Sequence, residues 1–430
     1  MKKIEYKKRI ADRLLTEKLE AKGAILIRGP KWCGKTTTAE QQAKSIIYLN
    51  NSSLSRQYRE MALIDPSQLL AGATPHLIDE WQLIPSLWDA VRFEVDHRHE
   101  RGQFILTGSA VPPDKNETMY RHTGTGRFGI IDMFPMSLYE SGDSSGEIRL
   151  SELFNRPDKI QGSAQMDINR LAYLACRGGW PYAVVESLSP KASLSQAIDY
   201  VDLVVEEDIS RVDGVQRNSS LARKIMRSYA RSQGSQTPVS MIRRDVMVNE
   251  TDRLTDETVS SYLNAMRQIF VINDLEAWNP NLRSKSAVRT TPTRYFTDPS
   301  IATASLRIGP EDLVNSLSTF GFIFETLCIR DLRVYVQPHD GDIYHYRDNN
   351  GLECDAVIHL RNGKFGLIEI KLGGDKAIEE GCKNLKKLSS ILNTEKMGEP
   401  SFLMVLVGVG SFAYRRQDGI YVVPVSCLRD

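Results

Sequence analysis

A glycine-rich segment near the start of the chain contains the residue types that bind phosphate groups. It reads Gly29-Pro-Lys-Trp-Cys-Gly34-Lys35-Thr36 and follows a short apolar run, Ala24-Ile-Leu-Ile-Arg28. Glycines let backbone N–H groups curl around phosphate oxygens, and a helix that begins after the loop adds the positive end of its dipole. Lys35 would reach the β- and γ-phosphates, and Thr36 would ligate Mg²⁺. The segment therefore predicts a site for ATP and Mg²⁺.

A second run places two carboxylates at the end of an apolar strand. Pro75-His-Leu-Ile is followed directly by Asp79 and Glu80, as expected of a buried parallel strand that delivers acids to its carboxyl edge. Asp79 would hold Mg²⁺ through water, and Glu80 would be the general base that polarises the attacking water. The alternative is a pair of surface acids that end a strand.

A third apolar run, Gln103-Phe-Ile-Leu, ends in Thr107-Gly108-Ser109. Thr107 or Ser109 could orient the γ-phosphate or the attacking water, although many strands end in turns of this kind. The residues predicted to contact the nucleotide are Gly29, Pro30, Lys31, Trp32, Cys33, Gly34, Lys35, Thr36, Thr37 and Ser109. Helical stretches separate the three strands, among them Thr36 to Ser45 and Trp88 to His99. Alternating strands and helices predict a doubly wound α/β domain.

This part of the chain, taken as residues 1–145, resembles the AAA-type ATPases of bacteria and archaea. The motifs that carry the resemblance are GPKWCGKTT, LIDEWQ, LTGSA, HTGTGRF and MFPMSLYESG. The resemblance implies ATP hydrolysis. It also makes Arg127, with Arg121 as second choice, a candidate to neutralise charge in the transition state, in trans if copies of the chain assemble as a homo-oligomer. Either arginine could equally form a structural ion pair.

Composition limits the remaining possibilities. The 430 residues exceed what one hydrophobic core usually supports, so several domains are expected. Lysine plus arginine (55) nearly cancels aspartate plus glutamate (54), which gives no global reason to expect nucleic acid binding. The six cysteines show no CxxC spacing, so reduced thiols in a cytoplasmic protein are expected. No apolar run approaches the ~20 residues of a membrane span.

Residues 146–218 are predicted to be a helical lid or linker. Ile168 to Cys176 and Ser193 to Ile209 have apolar residues near helical spacing. Between them, Arg177-Gly-Gly-Trp-Pro181 resembles the glycine-and-proline lid motif of signalling ATPases, which would close over the nucleotide base. The alternative is a loop that breaks a helix.

Residues 219–310 are predicted to form a winged helix. Three helical stretches precede two strand-like runs: the helices are Ser220 to Gln233, Val239 to Val248 and Thr255 to Ile269, and the strands are Phe270 to Leu275 and Arg294 to Thr297. The loop between the two strands contains the basic residues Arg283, Lys285 and Arg289. As a DNA reader the module would place its third helix in a major groove. Asp256 and Glu257 at the start of that helix oppose this role, and a packing role is the alternative.

Residues 311–430 resemble the PD-(D/E)xK nuclease fold. The residues that carry the resemblance are Asp355, the pair Glu369 and Lys371, and Glu325 on the preceding helix; Cys354 stands where the pattern has proline. Two residues apart in a strand, Glu369 and Lys371 face the same side. Asp355 and Glu369 could hold Mg²⁺ while Lys371 stabilises an attacking hydroxide. The alternative is a Glu–Lys pair on an exposed strand edge, although charges in so apolar a strand are costly unless paired.

Taken together, the sequence predicts an α/β multidomain protein. It combines a P-loop AAA-type doubly wound domain, a helical lid, a winged helix and a C-terminal α/β nuclease-like domain. ATP hydrolysis would switch or drive the C-terminal module, for which DNA is the candidate partner. The alternatives are an ATP-gated binder of nucleic acid or protein that does not cut, and a regulatory adaptor of the signalling-ATPase type.

Overall fold

The structure is a computed structural model that describes residues 5–110, 124–184, 188–248, 254–279, 291–392 and 397–430. The chain divides into two compact units: the first comprises Met1–Pro135, Glu207–Gln216 and Asn264–Phe270, and the second comprises Met136–Glu206, Arg217–Leu263 and Val271–Asp430. The four-domain division with boundaries after residues 145, 218 and 310 remains a prediction. Arg121 and the basic loop residues Arg283, Lys285 and Arg289 lie outside the described residues.

The first unit is built on a five-stranded parallel sheet. Its strands are β1 Ala24–Arg28, β2 Ser45–Tyr48, β3 His76–Asp79, β4 Phe104–Gly108 and β5 Phe128–Asp132. Their order is β2-β3-β4-β1-β5, and all neighbours are parallel. The inner strands are apolar and buried, as parallel strands covered on both faces must be. Because β4 lies between β1 and β3, the carboxyl ends of these three strands are side by side at one edge.

Helix α1, Ile10–Ala21, precedes β1, and the α-helices between β1 and β4 are α2 Lys35–Glu40, α3 Ser55–Ile64 and α4 Ser86–Arg98. The predicted doubly wound arrangement is therefore present in this unit. The helix after the glycine-rich segment is shorter than predicted, because it ends at Glu40 and the chain turns before β2 begins at Ser45.

The helices after β5 include short and long segments. They are α5 Leu138–Ser141, α6 Leu150–Leu153, α7 Ile168–Arg177, α8 Pro190–Leu203, α9 Ile209–Arg211, α10 Ser219–Arg231, α11 Val239–Met247, α12 Asp256–Gln268, α13 Pro299–Leu306, α14 Pro310–Asn315, α15 Leu317–Val336 and α16 Asp375–Ile391. A π-helical turn, Val204–Asp208, separates α8 from α9, where the sequence predicted one continuous helix.

The strands after β5 form a seven-stranded sheet and a separate two-stranded pair. They are β6 Ile148–Arg149, β7 Gly162–Ser163, β8 Gly341–Arg347, β9 Glu353–Leu360, β10 Phe365–Lys371, β11 Phe402–Val407, β12 Phe412–Arg415, β13 Tyr421–Pro424 and β14 Leu428–Arg429. Seven of them make a mixed sheet in the order β7-β12-β13-β11-β10-β9-β8, and the separate pair is β6 with β14. The pair β8 and β9 forms an antiparallel hairpin. Apolar residues of β9, β10 and β11 pack with α16 in one core.

The predicted lid motif lies in the interior of the second unit. Gly178 ends α7 with φ +71°, and the indole N–H of Trp180 donates to Oγ of Ser300 at 2.9 Å. Arg177 is buried and pairs with Asp143 at 2.9 Å. These contacts are those of a helix-ending loop, which was the alternative, and the lid role remains a prediction.

The three predicted helices of the winged helix are present as α10, α11 and α12. The two strand-like runs meet only as isolated antiparallel bridges, Ile272 with Phe296 and Leu275 with Thr293. The winged helix itself stays a prediction. Within the described ranges, no helix has the length and apolar character needed to cross a membrane.

Candidate functional site

The glycine-rich segment forms a tight loop between β1 and α2. Gly34 has φ +101°, in the left-handed region that favours glycine, and it is the residue from which α2 begins. Gly29 lies against the backbone of the chain after β5, where an added Cβ would fall 2.1 Å from the carbonyl oxygen of Met133. Both glycines are therefore required by the backbone path, as the phosphate-binding prediction assumes.

Lys35 is held inside this loop. Its side chain is 5% exposed, and Nζ donates hydrogen bonds to the carbonyl oxygens of Gly29 at 3.1 Å and Pro30 at 2.8 Å. These hydrogen bonds hold the ammonium group near the N-terminus of α2, where the helix dipole also favours an anion. A phosphate oxygen is a stronger acceptor than either carbonyl, since it carries charge.

Asp79 joins the loop to the two neighbouring strands. Oδ1 of Asp79 accepts hydrogen bonds from Oγ1 of Thr36 at 2.6 Å and from Oγ1 of Thr107 at 2.7 Å. A hydroxyl and a carboxylate are oxygen donors of the kind Mg²⁺ prefers. Thr36 and Asp79 therefore fit the predicted metal role, and Thr107 contacts Asp79 in a way that the sequence motifs do not predict.

Glu80 follows Asp79 and turns sharply away from the strand. Its φ is +57°, and its N–H donates to Oγ1 of Thr107 at 3.2 Å. Oε2 of Glu80 accepts hydrogen bonds from Oγ of Ser109 at 2.9 Å and from the amide of Gln82. These donors fix the orientation of the carboxylate, which is what a general base needs. Ser109, predicted to contact the nucleotide, is thus connected to the site through Glu80.

The other predicted loop residues differ in environment. Pro30 and Cys33 are buried, and Sγ of Cys33 lies 3.6 Å from the carbonyl oxygen of Met133. Trp32 is 62% exposed, and Thr37 is exposed in α2. Nζ of Lys31 pairs with Oδ1 of Asp208 at 2.5 Å. Backbone groups, rather than most of these side chains, would therefore supply the loop's contacts with a phosphate.

Arg127 lies at the other edge of the sheet. It immediately precedes β5, and the N–H of Ala24 at the start of β1 donates to its carbonyl oxygen at 3.3 Å. Its guanidinium makes two hydrogen bonds to Asp96, at 2.9 and 3.2 Å. Since β1 and β5 are parallel, Arg127 is one strand length from the loop of its own chain. The contacts are those of the ion-pair alternative, and only a role in trans remains as a prediction.

The predicted nuclease residues come together at the end of β10. Nζ of Lys371 lies 2.7 Å from Oε2 of Glu369 and 3.4 Å from Oδ2 of Asp355. The N–H of Ile370 donates to the same oxygen of Asp355 at 2.7 Å. Alternation along β10 puts Glu369 and Lys371 on one face, and the antiparallel neighbour β9 supplies Asp355. The ammonium of Lys371 thus contacts both carboxylates.

Glu325 on α15 is mostly buried, and it contacts a residue that the sequence did not suggest. The hydroxyl of Tyr295 donates a hydrogen bond to Oε1 of Glu325. The carboxyl group also lies against Gly234, where an added Cβ would fall 3.0 Å from Oε2. Both neighbours belong to the segment predicted as a winged helix, so that segment contributes to the surroundings of Glu325.

Burial has the largest effect on the pKa values of Glu325 and Glu369. The pKa of Glu369, whose side chain is 1% exposed, is raised to about 8 by burial and by the nearby charge of Asp355, against the opposing effect of Lys371. Burial and Asp355 also raise the pKa of Glu325 well above its usual value. Although burial lowers the pKa of Lys371, the carboxylates of Asp355 and Glu369 outweigh it and raise that pKa. The cluster therefore carries more acid groups than its lysine can neutralise.

The cluster offers few side chains that could bind a metal ion. Among the described residues, no group of three or more histidine, cysteine, aspartate or glutamate side chains is arranged to hold a metal ion. A Mg²⁺ ion at Asp355 and Glu369 would therefore have these two carboxylates and complete its shell with water, which agrees with its usual coordination.

Comparison with known families divides the chain into three parts. Residues 21–142 match the AAA domain, residues 168–312 match a domain of unknown function, DUF8612, and residues 320–428 match another, DUF4143. With the loop and strand geometry above, the first match supports an AAA-type P-loop ATPase domain that binds nucleotide. The other two matches name no activity, and they do not confirm the predicted winged helix or nuclease-like domain.

Two uncharacterized proteins are similar over most of the chain, one from Mycobacterium bovis and one from Mycobacterium tuberculosis. Each is 23% identical over 361 residues, which are 84% of this chain and 73% of the relative. Among solved structures, the Walker-type ATPase of Pyrococcus abyssi matches with 15% identity and a TM-score of 0.43, covering 69% of this chain and 94% of the other. The Aeropyrum pernix ORC1 protein in complex with DNA matches with 13% identity and a TM-score of 0.23, covering 73% and 95%.

Proposed function

We propose that this protein binds ATP with Mg²⁺ at the loop of the first unit and hydrolyses it to ADP and phosphate. The observation that carries the proposal is the convergence on Asp79 of two hydroxyls, Thr36 from the loop and Thr107 from β4. This convergence supports the proposal, because it brings together at one edge of a parallel sheet a hydroxyl and a carboxylate of the kind that hold Mg²⁺ in phosphoryl transfer.

Binding would begin at the loop backbone. N–H groups between Gly29 and Thr36 would surround the phosphates, and Lys35 would exchange its two carbonyl partners for phosphate oxygens. Thr36 and Asp79 would hold Mg²⁺, which when bound neutralises charge on the β- and γ-phosphates. Each of these contacts favours a triphosphate over an uncharged ligand.

Hydrolysis would then depend on Glu80. Its carboxylate would accept a proton from water as the water oxygen bonds to the γ-phosphorus, and the bond from that phosphorus to the β,γ-bridging oxygen would break with its electron pair left on ADP. Ser109 and Gln82 hold the carboxylate in one orientation. If copies of the chain assemble, Arg127 of one copy would neutralise charge at the phosphates of the next.

Calorimetric titration with Mg·ATP tests the binding step. We expect Lys35→Ala to abolish measurable binding, because the loop loses its charged donor. Lys44→Ala is the matched control, since this lysine is exposed just beyond α2 and should bind like the wild type. Wild-type protein without affinity for ATP, or Lys35→Ala binding as tightly as the wild type, would refute the proposal.

For the second unit we propose a nuclease-like module that ATP hydrolysis switches or drives, with DNA as its substrate. The contact of Lys371 with both Asp355 and Glu369 supports it. The carboxylates would hold Mg²⁺, and Lys371 would stabilise negative charge at a phosphate under attack. Glu325, held by Tyr295, would be the remaining acid of the set. DNA contact by the predicted winged helix belongs to the same proposal.

A module that binds nucleic acid or protein under the control of ATP, without cutting, is the competing function, and an adaptor of the signalling type is a further variant of it. Magnesium-dependent DNA cleavage should be measured for wild type, Glu369→Ala and the control Asp342→Asn, which changes an exposed residue of β8. Loss of cleavage in Glu369→Ala alone supports the nuclease. Equal cleavage by all three proteins, or no cleavage by any of them, would refute the nuclease proposal. ATP-dependent binding of DNA without cleavage would favour the competing function.

A further inference from the structure

Arg9 lies directly behind the phosphate loop, although no motif includes it. The residue is 6% exposed. Nη1 donates to the carbonyl oxygen of Cys33 at 2.8 Å, and Nη2 donates to the carbonyl oxygen of Phe134 at 2.8 Å. One guanidinium thus spans the loop and the segment that follows β5.

The N-terminal segment around Arg9 is itself fixed to the loop's helix. The N–H of Arg9 donates to Oδ2 of Asp12 at 2.7 Å. Oδ1 of Asp12 accepts from the hydroxyl of Tyr6 at 2.6 Å, and the same hydroxyl lies 3.0 Å from Oγ1 of Thr38 in α2. Arg9 therefore reaches the loop from a segment that is itself hydrogen-bonded to α1 and α2.

The bond to Cys33 determines which way the next amide points. In a planar trans peptide the C=O and N–H groups point in opposite directions. Because the carbonyl of Cys33 is turned toward Arg9, the N–H of Gly34 is turned away from Arg9. That N–H belongs to the stretch of backbone that would surround the phosphates.

We propose that Arg9 is a positioning residue of the nucleotide site: its guanidinium holds the peptide between Cys33 and Gly34 in the orientation that offers an N–H to the phosphates. This inference rests on the proposed ATP function. The planar fork of arginine suits two carbonyl acceptors at once, whereas lysine offers a single point charge. Arg9 acts through the loop backbone and does not itself touch the nucleotide.

The test compares Arg9→Gln and Arg9→Lys with wild type in binding assays of ATP, ADP, inorganic tripolyphosphate and adenosine. Arg9→Gln should weaken binding of the three phosphate compounds by about tenfold or more, because it removes a charged donor from a buried carbonyl. Arg9→Lys should fall between. Adenosine has no phosphate, so its affinity should not change. Arg13→Gln, an exposed position on α1 paired with Glu17, is the control.

The outcomes separate this inference from the function on which it rests. If wild type binds ATP and both Arg9 variants bind all four compounds as it does, Arg9 has no positioning role. An equal loss for adenosine and for the phosphate compounds would likewise overturn the inference, since it indicates general damage. Should Arg9→Gln fail to fold by circular dichroism, Arg9→Lys decides by the same comparison. Wild type that does not bind ATP refutes the proposed function instead.

Discussion

The hydroxyl of Thr36 donates a hydrogen bond to the carboxylate of Asp79 at 2.6 Å. Thr36 lies in α2, which follows β1, and Asp79 ends β3. The two strands are not neighbours, because β4 lies between them. The contact therefore depends on the whole sheet. It also places a hydroxyl and a carboxylate where both could bind one Mg²⁺ ion.

Asp79→Asn should weaken the effect of Mg²⁺ on ATP affinity. The amide keeps the shape of the carboxylate but loses its charge, so we expect the gain in affinity on adding Mg²⁺ to fall by about tenfold or more. Titrations with ATP in the presence of Mg²⁺ or of EDTA measure this. Asp158→Asn, at an exposed position, is the control, and an unchanged response to Mg²⁺ in Asp79→Asn would show that Asp79 holds no metal.

Glu80→Gln should separate binding from hydrolysis. The amide cannot accept the proton of the attacking water, so kcat should fall by about 10²- to 10⁴-fold, while ATP affinity changes little. Phosphate release under saturating ATP gives kcat, and calorimetry gives the affinity. The same measurements on Glu17→Gln, at an exposed helix position, should match the wild type. Full activity in Glu80→Gln would exclude this glutamate as the base.

Arg127→Ala tests the role in trans. Its ion pair with Asp96 is exposed, so the melting temperature should hardly change, since such pairs contribute at most about 1 kcal/mol. ATPase activity should nevertheless fall. Mixing Arg127→Ala with Lys35→Ala should restore part of the activity, because a mixed assembly contains sites with an intact loop and a neighbour's arginine. If Arg127→Ala has the ATPase activity of the wild type without any mixing, Arg127 has no role in trans and serves only in its ion pair with Asp96.

The raised pKa of Glu369 should lower the free energy of unfolding as the pH rises. Its folded pKa of about 8 lies above the ordinary value of 4.5, so between these values the folded state binds more protons than the unfolded state, and raising the pH favours unfolding. The melting temperature of wild type relative to Glu369→Gln should therefore fall from pH 5 to pH 8. A difference that stays constant over this range would mean that Glu369 titrates normally.

Much of the candidate nucleotide site could be predicted because its residues fall in two short segments, each with a recognisable local pattern. Gly29 to Thr36 is one continuous motif, and Asp79 with Glu80 follows an apolar strand. The C-terminal set was found in the same way, since Glu369 and Lys371 interrupt an apolar run. By contrast, Arg9 and Tyr295 lie in ordinary sequence, and only their contacts with Cys33 and Glu325 distinguish them.

By itself the sequence determined the candidate phosphate loop, the acids at the end of β3 and the alternation of strands and helices, because backbone conformation and apolar spacing are local properties. Only the tertiary structure decided that β4 lies between β1 and β3, that Arg127 stands at the edge away from the loop, and that Arg9 holds Cys33 from behind. Strand order and long-range hydrogen bonds depend on how distant segments pack, and local residue patterns do not contain that information.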